Sequence, residues 1–568
     1  FVTTDEQYWL YDRIPKYWHG WSELNFKKTH INDKPGVSLA IISGPGLLFE
    51  SDPENHIIKN DSGFDAYDTG YTERLYGFFR WPIFIFNGFF IFYLYWIIKK
   101  ISNPSIALIS SALILLSPVL LGISRVVNPD AVLWSFSAAA IFTYLALLKT
   151  GAKKFIVLTI LFTGLSLLSK YVANILFPFF LLLIFSEYLF NLEKRSASKN
   201  NFLSEQIINW LIIFAGSLAI FSLLMPAVFL KPSFLIEGTV GFSGIKPIVW
   251  PMLILAAAIL VDGRWNKQSV FSRAFRYLHR YRSAIAKALL ALTSLLFLVT
   301  AANWISGEKI SDLSRVPIDA RSGETFISQT NLVEKFILEA YPFVFSLTPL
   351  VLILILILWA SYIFRKNTDW IHISLPLSLF FLIFFAGGIF SGVLLTPRYM
   401  IMLYPVAALL AALGIDFLRN RFFRKGSEVL IFLSILALSI FSLYQTRPFY
   451  YNYTSSLLPE KYIISSSWGF GGYEAAQYLN SLPDAENTTI WSDYRGVCEF
   501  FVGHCLEERR FDRSKYDIRY YVLTRRGQSR TDDKMLSLLS DKNQGEKIWE
   551  FKIGGRPENY VRIYKSLK

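Results

Sequence analysis

A small set of charged residues interrupts the apolar stretches of this chain, and their types suit a particular kind of chemistry. The set consists of Asp5, Glu6, Lys34, Arg125, Asp130, Lys170 and Arg398. A charge in apolar surroundings is costly, so such residues tend to be retained for a function. Carboxylates can accept a proton from a nucleophile, and Arg and Lys can hold a phosphate or another anion. Together these residues suit a reaction that uses an anionic substrate and moves a proton.

The composition indicates that these charges belong to a membrane protein. Of the 568 residues, 53% are hydrophobic and 18% are charged, whereas soluble domains are on average about a quarter charged. This excludes disordered and collagen-like chains, and the presence of only two cysteines excludes a disulfide-rich scaffold. The net charge of +14 could indicate nucleic-acid binding, but Lys and Arg are concentrated in the connections between apolar runs. We therefore expect a polytopic α-helical membrane protein that binds no nucleic acid.

Apolar runs long enough for membrane helices recur from Trp81 to about Leu443. A bilayer core of about 30 Å requires roughly 20 mostly apolar residues per helix. The runs lack the polar face that a soluble helical core would need. They predict about twelve spans, at residues 81–98, 105–123, 131–148, 155–169, 172–190, 208–229, 247–261, 287–304, 341–364, 372–392, 400–418 and 427–444.

Every second connection between these spans is rich in Lys and Arg, which orients the helices because basic connections stay in the cytoplasm. The basic connections carry Lys99 and Lys100; Lys149, Lys153 and Lys154; Lys194, Arg195 and Lys199; Arg264, Lys267, Arg273, Arg276, Arg280, Arg282 and Lys287; Arg365 and Lys366; and Arg419, Arg421, Arg424 and Lys425. The other connections hold only Arg125, Lys170, Lys231, Lys246, a 305–340 loop of mixed sign, and Arg398. We predict that this second set is extracytoplasmic.

The orientation divides the chain into three parts. Residues 1–80 are expected to form a large first extracytoplasmic loop, residues 81–445 the transmembrane domain, and residues 446–568 a small extracytoplasmic α/β domain. Because the chain starts with Phe1-Val2 and without Met, we expect one further N-terminal helix to be missing, with a cleaved signal peptide as the alternative. A bacterial plasma (inner) membrane suits the chain best, and an archaeal membrane or the endoplasmic reticulum stays open.

Both extracytoplasmic parts have predictable elements. The first contains short helices that lie along the membrane surface, one of them at Glu6–Trp18. The second contains a helix at Tyr473–Leu482 and strands at Thr489–Trp491, Tyr520–Thr524, Lys547–Ile553 and Tyr560–Tyr564. Cys498 and Cys505 lie on the oxidising side and could form a disulfide, with two unpaired thiols as the alternative. Acceptor recognition or a lid suits this domain better than catalysis.

With this topology, the seven charged residues fall at one face of the membrane. Each has a simpler explanation when it is taken alone. Lys170 and Arg398 could anchor helix ends in the headgroup region, and Asp130 could simply begin a helix, where acids are favoured. Their joint restriction to the extracytoplasmic face favours a functional site.

At these residues the chain resembles the GT-C glycosyltransferases that use polyprenyl-phosphate-linked sugars, a group that contains the protein O-mannosyltransferases and the lipid A aminoarabinose transferases. The matching segments, in chain order, are Asp5-Glu6, Lys34-Pro35-Gly36, Arg125…Pro129-Asp130, Gly164…Ser169-Lys170-Tyr171, Pro397-Arg398-Tyr399, Arg447-Pro448-Phe449-Tyr450, Trp468-Gly469-Phe470-Gly471-Gly472-Tyr473-Glu474-Ala475-Ala476 and Tyr478-Leu479-Asn480. Each segment is short, and their order along the whole chain is more specific than any one of them. Gly36 departs from relatives that have a second proline there. The Trp-Trp-Asp signature of the oligosaccharyltransferase subunit is absent, which argues against transfer of a preassembled oligosaccharide.

The resemblance implies a fold, a substrate and a reaction. It implies an integral membrane glycosyltransferase of GT-C type that transfers a single sugar from a polyprenyl-phosphate-sugar donor. The acceptor would be a protein, a lipid or a cell-surface glycan on the extracytoplasmic side. It implies that Arg398, Lys34 and Lys170 bind the donor phosphate. In-line attack would invert the anomeric centre of the sugar.

The resemblance also implies roles for the acids. Asp5 is the expected base, and Glu6 is expected to orient the acceptor or the neighbouring Arg125. Because an ordinary carboxylate is a weak base for a hydroxyl, burial or a like-charged neighbour such as Glu6 would have to raise the pKa of Asp5. Asp130 is expected to pair with Arg125 and hold the loop between them.

Two further points concern cofactors and competing functions. No ligand spacing demands a metal, although three acids leave room for a divalent ion, and the resemblance implies metal independence with the lipid-linked sugar phosphate as donor substrate. The main alternative is a membrane transporter or lipid flippase without transferase activity. Transporters usually have inverted repeats and helices broken at the midplane, and the sequence has no convincing internal repeat. A non-catalytic subunit with a degenerate GT-C fold is a further alternative.

Overall fold

The structure is a computed structural model that describes the chain in segments. These are residues 2–3, 5–59, 65–191, 202–242, 245–265, 269–313, 330–365, 369–392, 395–422, 428–464, 468, 470–506, 516–525 and 545–566. Several residues used above to orient the helices or to state the resemblance lie outside them, namely Lys194, Arg195, Lys199, Lys267, Lys366, Arg424, Lys425 and Gly469. Within the described segments the chain is mostly helical, with a small sheet near its C-terminal end.

Helices account for the predicted spans and for much of the chain between them. The first part holds Glu6–Tyr8, a π-helical Trp9–Arg13, Ile14–Ser22 and Val37–Ser43. The helices that follow are Thr69–Ile101, Pro104–Leu115, Pro118–Ile123, Asp130–Thr150, Lys154–Ser169, Leu176–Phe190, Phe202–Leu224, Ala227–Leu230, Ser233–Gly238, Lys246–Trp265, Val270–Arg280, Arg282–Ile305, Leu332–Ser346, Pro349–Phe364, Ile371–Ser391, Leu403–Phe422, Glu428–Thr446, Gly472–Asn480 and Arg495–Cys498.

Not all of the twelve predicted spans form helices long enough to cross a membrane. Among the described residues, nine helical segments are long and apolar enough to cross a membrane. They are Thr69–Ile101, Asp130–Thr150, Tyr171–Phe190, Phe202–Leu224, Lys246–Trp265, Arg282–Ile305, Ile371–Ser391, Leu403–Phe422 and Val429–Thr446. The other three of the twelve predicted runs form shorter apolar helices at Pro104–Leu115, Lys154–Ser169 and Pro349–Phe364. A polytopic helical membrane protein with a small C-terminal sheet is thereby confirmed.

The helix Thr69–Ile101 begins twelve residues before the predicted start of its span at Trp81. Its 33 residues reach about 50 Å, which exceeds the roughly 30 Å of a bilayer core. The sequence pattern missed its first three turns because they carry polar residues. That polar end contacts the C-terminal domain, where the Tyr76 hydroxyl donates to the Glu499 carboxylate.

The helix Asp130–Thr150 lies at the centre of the bundle. Its most apolar stretch is completely buried, as expected of a helix that is apolar on every side. Pro129 precedes it and Asp130 occupies its first turn, where a carboxylate is favoured by the helix dipole. The helix ends at Gly151, which adopts the left-handed conformation that commonly terminates helices. Asp130 therefore stands at one end of a rigid and buried element.

The C-terminal domain contains a five-stranded sheet, and a short antiparallel pair of strands, β1 (Ile57–Lys59) and β2 (Asp65–Tyr67), lies in the first part of the chain. The strands of the sheet are β3 (Thr489–Ser492), β4 (His504–Leu506), β5 (Ile518–Thr524), β6 (Gly545–Lys552) and β7 (Tyr560–Ser566), in the order β4-β3-β5-β7-β6. β3 runs parallel to β4 and β5, and β7 is antiparallel to β5 and β6. The sequence predicted four of these strands and missed β4, which has only three residues.

One arginine of this domain binds a loop that in turn contacts the membrane helices. The buried Arg556 guanidinium donates to the carbonyls of Ser455, Leu458, Pro459 and Tyr462. The same loop binds the helix Leu332–Ser346, because the Tyr341 hydroxyl donates to the Ile463 carbonyl at 2.9 Å and the Ser455 amide donates to the Phe345 carbonyl at 2.7 Å. The loop is thus held from both sides.

The glycine that departs from the family pattern has a structural reason. Gly36 adopts φ +67°, which a proline ring cannot reach. A Cβ at this position would overlap the indole ring of the buried Trp9. The Gly36 amide donates to the Ser169 carbonyl at 3.3 Å, which places the Lys34–Gly36 turn beside Lys170.

We predict that Gly36→Ala lowers the apparent thermal unfolding midpoint of the detergent-solubilised protein more than Gly151→Ala does. Both glycines have similar positive φ angles, but no atom lies within 4 Å of a Cβ at Gly151. Gly151→Ala should cost about 1 kcal/mol for the left-handed backbone, and Gly36→Ala should add about 1–3 kcal/mol of overpacking against Trp9. Equal midpoints for the two variants would contradict this packing.

Candidate active site

A buried carboxylate shared by two cations forms the centre of the site. Asp130 Oδ1 accepts from Lys170 Nζ at 2.9 Å, and Asp130 Oδ2 accepts from Arg398 Nε at 2.7 Å. The Asp130 side chain is only 1% exposed. Asp130 is the first residue of a helix, Lys170 directly follows the helix Lys154–Ser169, and Arg398 lies in the 3-10 helix Pro397–Met400. The cluster therefore joins three parts of the bundle at one point.

Asp5 joins this cluster from the opposite side of Arg398. Arg398 Nη1 donates to Asp5 Oδ2 at 2.7 Å, so one guanidinium is bonded to two carboxylates. The Asp5 side chain is 32% exposed, whereas that of Asp130 is nearly inaccessible. Asp5 is therefore the carboxylate of this pair that a bound substrate could reach.

Aromatic rings surround the two cations. The Arg398 guanidinium lies 4.5 Å from the centre of the Trp468 ring, and the Lys170 ammonium lies 4.3 Å from the centre of the Tyr399 ring. Ring faces attract cations, more strongly where water is excluded. Trp468 is buried and belongs to the segment that follows the loop held by Arg556. The C-terminal domain thus supplies one wall of the site.

The charges of the cluster shift the pKa values of two of its members. Burial disfavours charge on Arg398, but the carboxylates of Asp5 and Asp130 outweigh burial and raise the pKa of Arg398 above its usual value. Burial would also raise the pKa of the Tyr399 phenol, but Lys170, Arg398 and Lys34 outweigh it and lower that pKa. The site therefore keeps its arginine charged and has a positive potential around Tyr399.

Lys34 lies at the edge of this positive region. It is exposed, and its charge acts on Tyr399 together with the charges of Lys170 and Arg398. The Asn32 side chain donates to the Lys34 carbonyl at 2.9 Å, which fixes the turn. The structure thus brings Asp5, Lys34, Asp130, Lys170 and Arg398 together, although 393 residues separate Asp5 from Arg398.

Glu6 differs from the expectation that it orients an acceptor or Arg125. Its side chain is fully buried, and its two oxygens accept from Arg80 Nε and Nη2, each at 2.8 Å. The same carboxylate accepts from the Thr3 amide and the Val127 amide, both at 2.9 Å. Glu6 is therefore an anchor for the chain start, and its charge is compensated by Arg80 and is not directed at Asp5.

Arg80 is the residue that sequence reasoning missed. It lies just before the apolar run that begins at Trp81, so it resembled a charge at a helix end. In the structure it lies within the helix Thr69–Ile101 and faces the buried Glu6. A charged residue next to an apolar run gives no sign of its partner when the partner is 74 residues away.

The expected pair of Asp130 with Arg125 is wrong. Asp130 bonds to Lys170 and Arg398, while Arg125 Nη1 approaches the Pro448 carbonyl at 3.5 Å and its guanidinium lies 5.4 Å from the Tyr450 ring centre. Burial, with the nearby charge of Arg80, lowers the pKa of Arg125. Asp130 begins a helix that runs into the bundle, which turns its carboxylate away from the preceding loop.

Two further sequence expectations concern the cysteines and metal binding. Cys498 and Cys505 are joined by a disulfide that links the helix Arg495–Cys498 to β4. Within the part of the chain that the structure describes, there is no group of three or more His, Cys, Asp or Glu side chains arranged to hold a metal ion. The acids of the site are bonded to arginine and lysine.

The chain is similar to known glycosyltransferases in part of its sequence and in its fold. Residues 78–228 match the family model described as dolichyl-phosphate-mannose-protein mannosyltransferase. The apo oligosaccharyltransferase of Archaeoglobus fulgidus aligns with a TM-score of 0.50 at 14% identity, over 100% of this chain and 71% of that chain. No curated protein sequence matches the chain.

Two other solved structures align less closely. The Archaeoglobus fulgidus oligosaccharyltransferase AglB in complex with an inhibitory peptide and a dolichol-phosphate gives a TM-score of 0.47 at 14% identity, over 92% of this chain and 65% of that chain. ArnT from Cupriavidus metallidurans in the apo state gives a TM-score of 0.27 at 10% identity, over 99% of this chain and 93% of that chain.

The chain has the fold of a GT-C glycosyltransferase, which confirms the predicted resemblance. The segment that matches the mannosyltransferase family model includes Arg80, Arg125, Asp130 and Lys170. Three of these four residues belong to the set that the sequence singled out. The family match therefore covers much of the site, and Asp5 and Arg398 join it from outside the matched segment.

We predict that Glu6→Gln destabilises the protein far more than Asp5→Asn. Removing the Glu6 charge leaves Arg80 without its buried carboxylate, which should cost about 3 kcal/mol. Removing the partly exposed Asp5 charge leaves Arg398 bonded to Asp130, so the loss should be about 1 kcal/mol or less. Thermal unfolding midpoints of the two purified variants measure the difference. A larger loss for Asp5→Asn would contradict the assignment of Glu6 as the anchor.

Proposed function

We propose that this protein is a glycosyltransferase that moves a single sugar from a polyprenyl-phosphate-sugar donor to a hydroxyl or amine acceptor. The observation that carries the proposal is the bonding of Arg398 to two carboxylates, one buried and one accessible. The GT-C fold and the family match at residues 78–228 support this reaction class. The description of that family names a dolichyl-phosphate-linked mannose as donor, which is the same chemical class.

The donor phosphate binds at Arg398 in this proposal. A guanidinium presents parallel N–H donors that match two phosphate oxygens. The Lys170 ammonium is already bonded to both oxygens of Asp130, so it contributes mainly through its charge. The exposed Lys34 can approach the phosphate from the solvent side. The polyprenyl chain would lie among the apolar helices.

Donor binding would also release the base. The phosphate and the Asp5 carboxylate are both anions that compete for Arg398, and Asp130 remains fixed because Lys170 holds it as well. Once Asp5 is displaced from Arg398, the stabilisation of its charged form weakens and its proton affinity rises. The donor thus prepares Asp5 to accept a proton, a role that the neighbouring charge of Glu6 was expected to play.

The reaction then follows from charge and position. The acceptor hydroxyl or amine attacks the anomeric carbon, Asp5 takes the acceptor's proton, and the bond between that carbon and the phosphate oxygen breaks. The leaving polyprenyl phosphate gains one negative charge, and Arg398 and Lys170 stabilise it in partly dehydrated surroundings. Such preorganised stabilisation contributes roughly 3–4 kcal/mol per donor group in well-studied enzymes. In-line attack inverts the anomeric centre.

We propose that the site and the C-terminal domain lie on the extracytoplasmic side, in a bacterial plasma membrane. The Lys and Arg distribution among the connections supports this orientation. The disulfide between Cys498 and Cys505 also suits an oxidising compartment. The acceptor is accordingly a protein, lipid or glycan outside the cytoplasm.

The proposal is tested by Asp5→Asn in membranes supplied with radiolabelled polyprenyl-phosphate-mannose. Because general-base catalysis contributes about 10²–10⁴-fold, transfer of label to the acceptor fraction should fall by at least about a hundredfold. Asp12→Asn is the matched control, since Asp12 is exposed on the same segment and should leave transfer unchanged. Normal transfer by a folded Asp5→Asn protein would remove Asp5 as the base. Movement of the donor across the membrane without any transfer would instead support a flippase.

A further inference from the structure

A cavity lies at the end of the helix Leu403–Phe422 that is far from Arg398. Its volume is about 520 Å³, and its lining comes from the last turns of the helices Pro349–Phe364 and Leu403–Phe422 and from the connection at Asp369 and Trp370. Arg398 lies just before the first residue of the helix Leu403–Phe422, whereas Arg421 lies in its last turn. Twenty residues of helix span about 30 Å. The cavity is therefore about one membrane thickness from the candidate active site.

The two helices meet closely near their middle and leave the cavity where they end. A Cβ at Gly414 would overlap the Leu354 carbonyl, so the glycine allows the backbones to touch. Next to this contact the buried side chains of Leu358 and Leu413 line the inner end of the cavity, its floor. Both helices run in the same direction, so their last turns stand side by side at the cavity mouth.

The lining changes from apolar to cationic along the helix direction. Leu358 precedes Arg365 by seven residues, and Leu413 precedes Arg421 by eight, so each arginine lies about 10–12 Å above the floor. Both arginines are exposed at the mouth. Leucines at depth and arginines at the rim match the order of a phospholipid from its acyl chains to its phosphate.

The charge balance around the cavity is positive. Arg419 Nη2 donates to Asp416 Oδ1 at 2.7 Å, which compensates one of the two carboxylates in the lining. Lys149 adds a cation 6.0 Å from the Trp370 ring centre. The lining therefore contains the cations Arg365 and Arg421 with the carboxylates of Asp369 and Asp416, and Arg419 and Lys149 add two cations beside it.

Trp370, which lies just before the helix Ile371–Ser391, adopts an unusual backbone conformation. Trp370 has φ +61°, which is rare for a bulky residue. Its indole Nε1 donates to Asp416 Oδ2 at 3.3 Å, and its ring forms part of the cavity wall. Backbone strain of this kind clusters at binding sites, where the surrounding structure holds it in place. The strained residue here holds an aromatic wall against the cationic rim.

We propose that this cavity binds the headgroup of an anionic phospholipid from the leaflet that surrounds it. Basic pockets between membrane helices on the cytoplasmic side bind anionic headgroups, and the Lys and Arg count assigns this end of the helices to that side. The apolar floor favours a lipid over a free anion, since a free phosphate gains nothing from leucine. This site is separate from the sugar-transfer site and does not depend on the proposed reaction.

Native mass spectrometry of the purified full chain in detergent tests the proposal, with dioleoylphosphatidylglycerol as the probe and dioleoylphosphatidylcholine as the neutral reference. Arg365→Gln/Arg421→Gln should weaken phosphatidylglycerol binding at least about tenfold, because each basic residue near a membrane contributes about a factor of five. Lys99→Gln/Lys100→Gln is the matched control, because it removes two exposed charges at the same predicted face away from the cavity. The control should bind like the unaltered protein.

Three results would overturn the proposal. Unchanged binding by the double arginine variant would exclude these residues as the headgroup ligands. Equal binding of the neutral lipid would show an apolar groove without headgroup recognition. Full displacement of the lipid by millimolar inorganic phosphate would show an anion site without a lipid. A thermal midpoint within a degree or two of the unaltered protein is expected for both variants, because all four side chains are exposed.

Discussion

The buried carboxylate of Asp130 is the constraint on which the rest of the site depends. A carboxylate that is removed from water must be compensated by cations and hydrogen bonds, because an unpaired buried charge costs several kcal/mol. Lys170 and Arg398 supply that compensation from two other segments of the bundle. The ion cluster therefore fixes where these segments end relative to one another. It also holds Arg398 in the orientation in which its remaining donors face Asp5.

The adjacent acids Asp5 and Glu6 have opposite surroundings. Glu6 is enclosed by Arg80 and two backbone amides, so it ties the start of the chain to the bundle. Asp5 accepts from Arg398 and keeps about a third of its side chain accessible. In the proposed reaction, the fixed Glu6 keeps the segment in place while the neighbouring Asp5 can leave Arg398 and act as the base. The C-terminal domain completes the site with Trp468, which rests on Arg398.

The class of fold and most of the charged residues of the candidate site could be predicted from the sequence. Apolar runs and alternating basic connections predict helices because the bilayer imposes their length and orientation. Charges such as Lys170 and Arg398 were recognisable because apolar surroundings make them costly. Their partners were not recognisable, since ion pairs across 40 to 393 residues leave no local pattern. Because Arg125 is close to Asp130 in sequence, we expected the two to form an ion pair. The helix that begins at Asp130 instead directs its carboxylate to Lys170 and Arg398. Gly36 likewise appeared as a departure from the family, and its reason is the distant ring of Trp9.

The central claim is that a donor phosphate replaces Asp5 on Arg398 while Asp130 stays in place. A cryo-electron microscopy structure of the protein with bound polyprenyl phosphate tests it most directly. The account predicts phosphate density within hydrogen-bond distance of the Arg398 guanidinium, a broken contact between Arg398 and Asp5, and an intact contact between Lys170 and Asp130. Phosphate density away from Arg398, or an unbroken contact between Arg398 and Asp5 in the bound state, would contradict it.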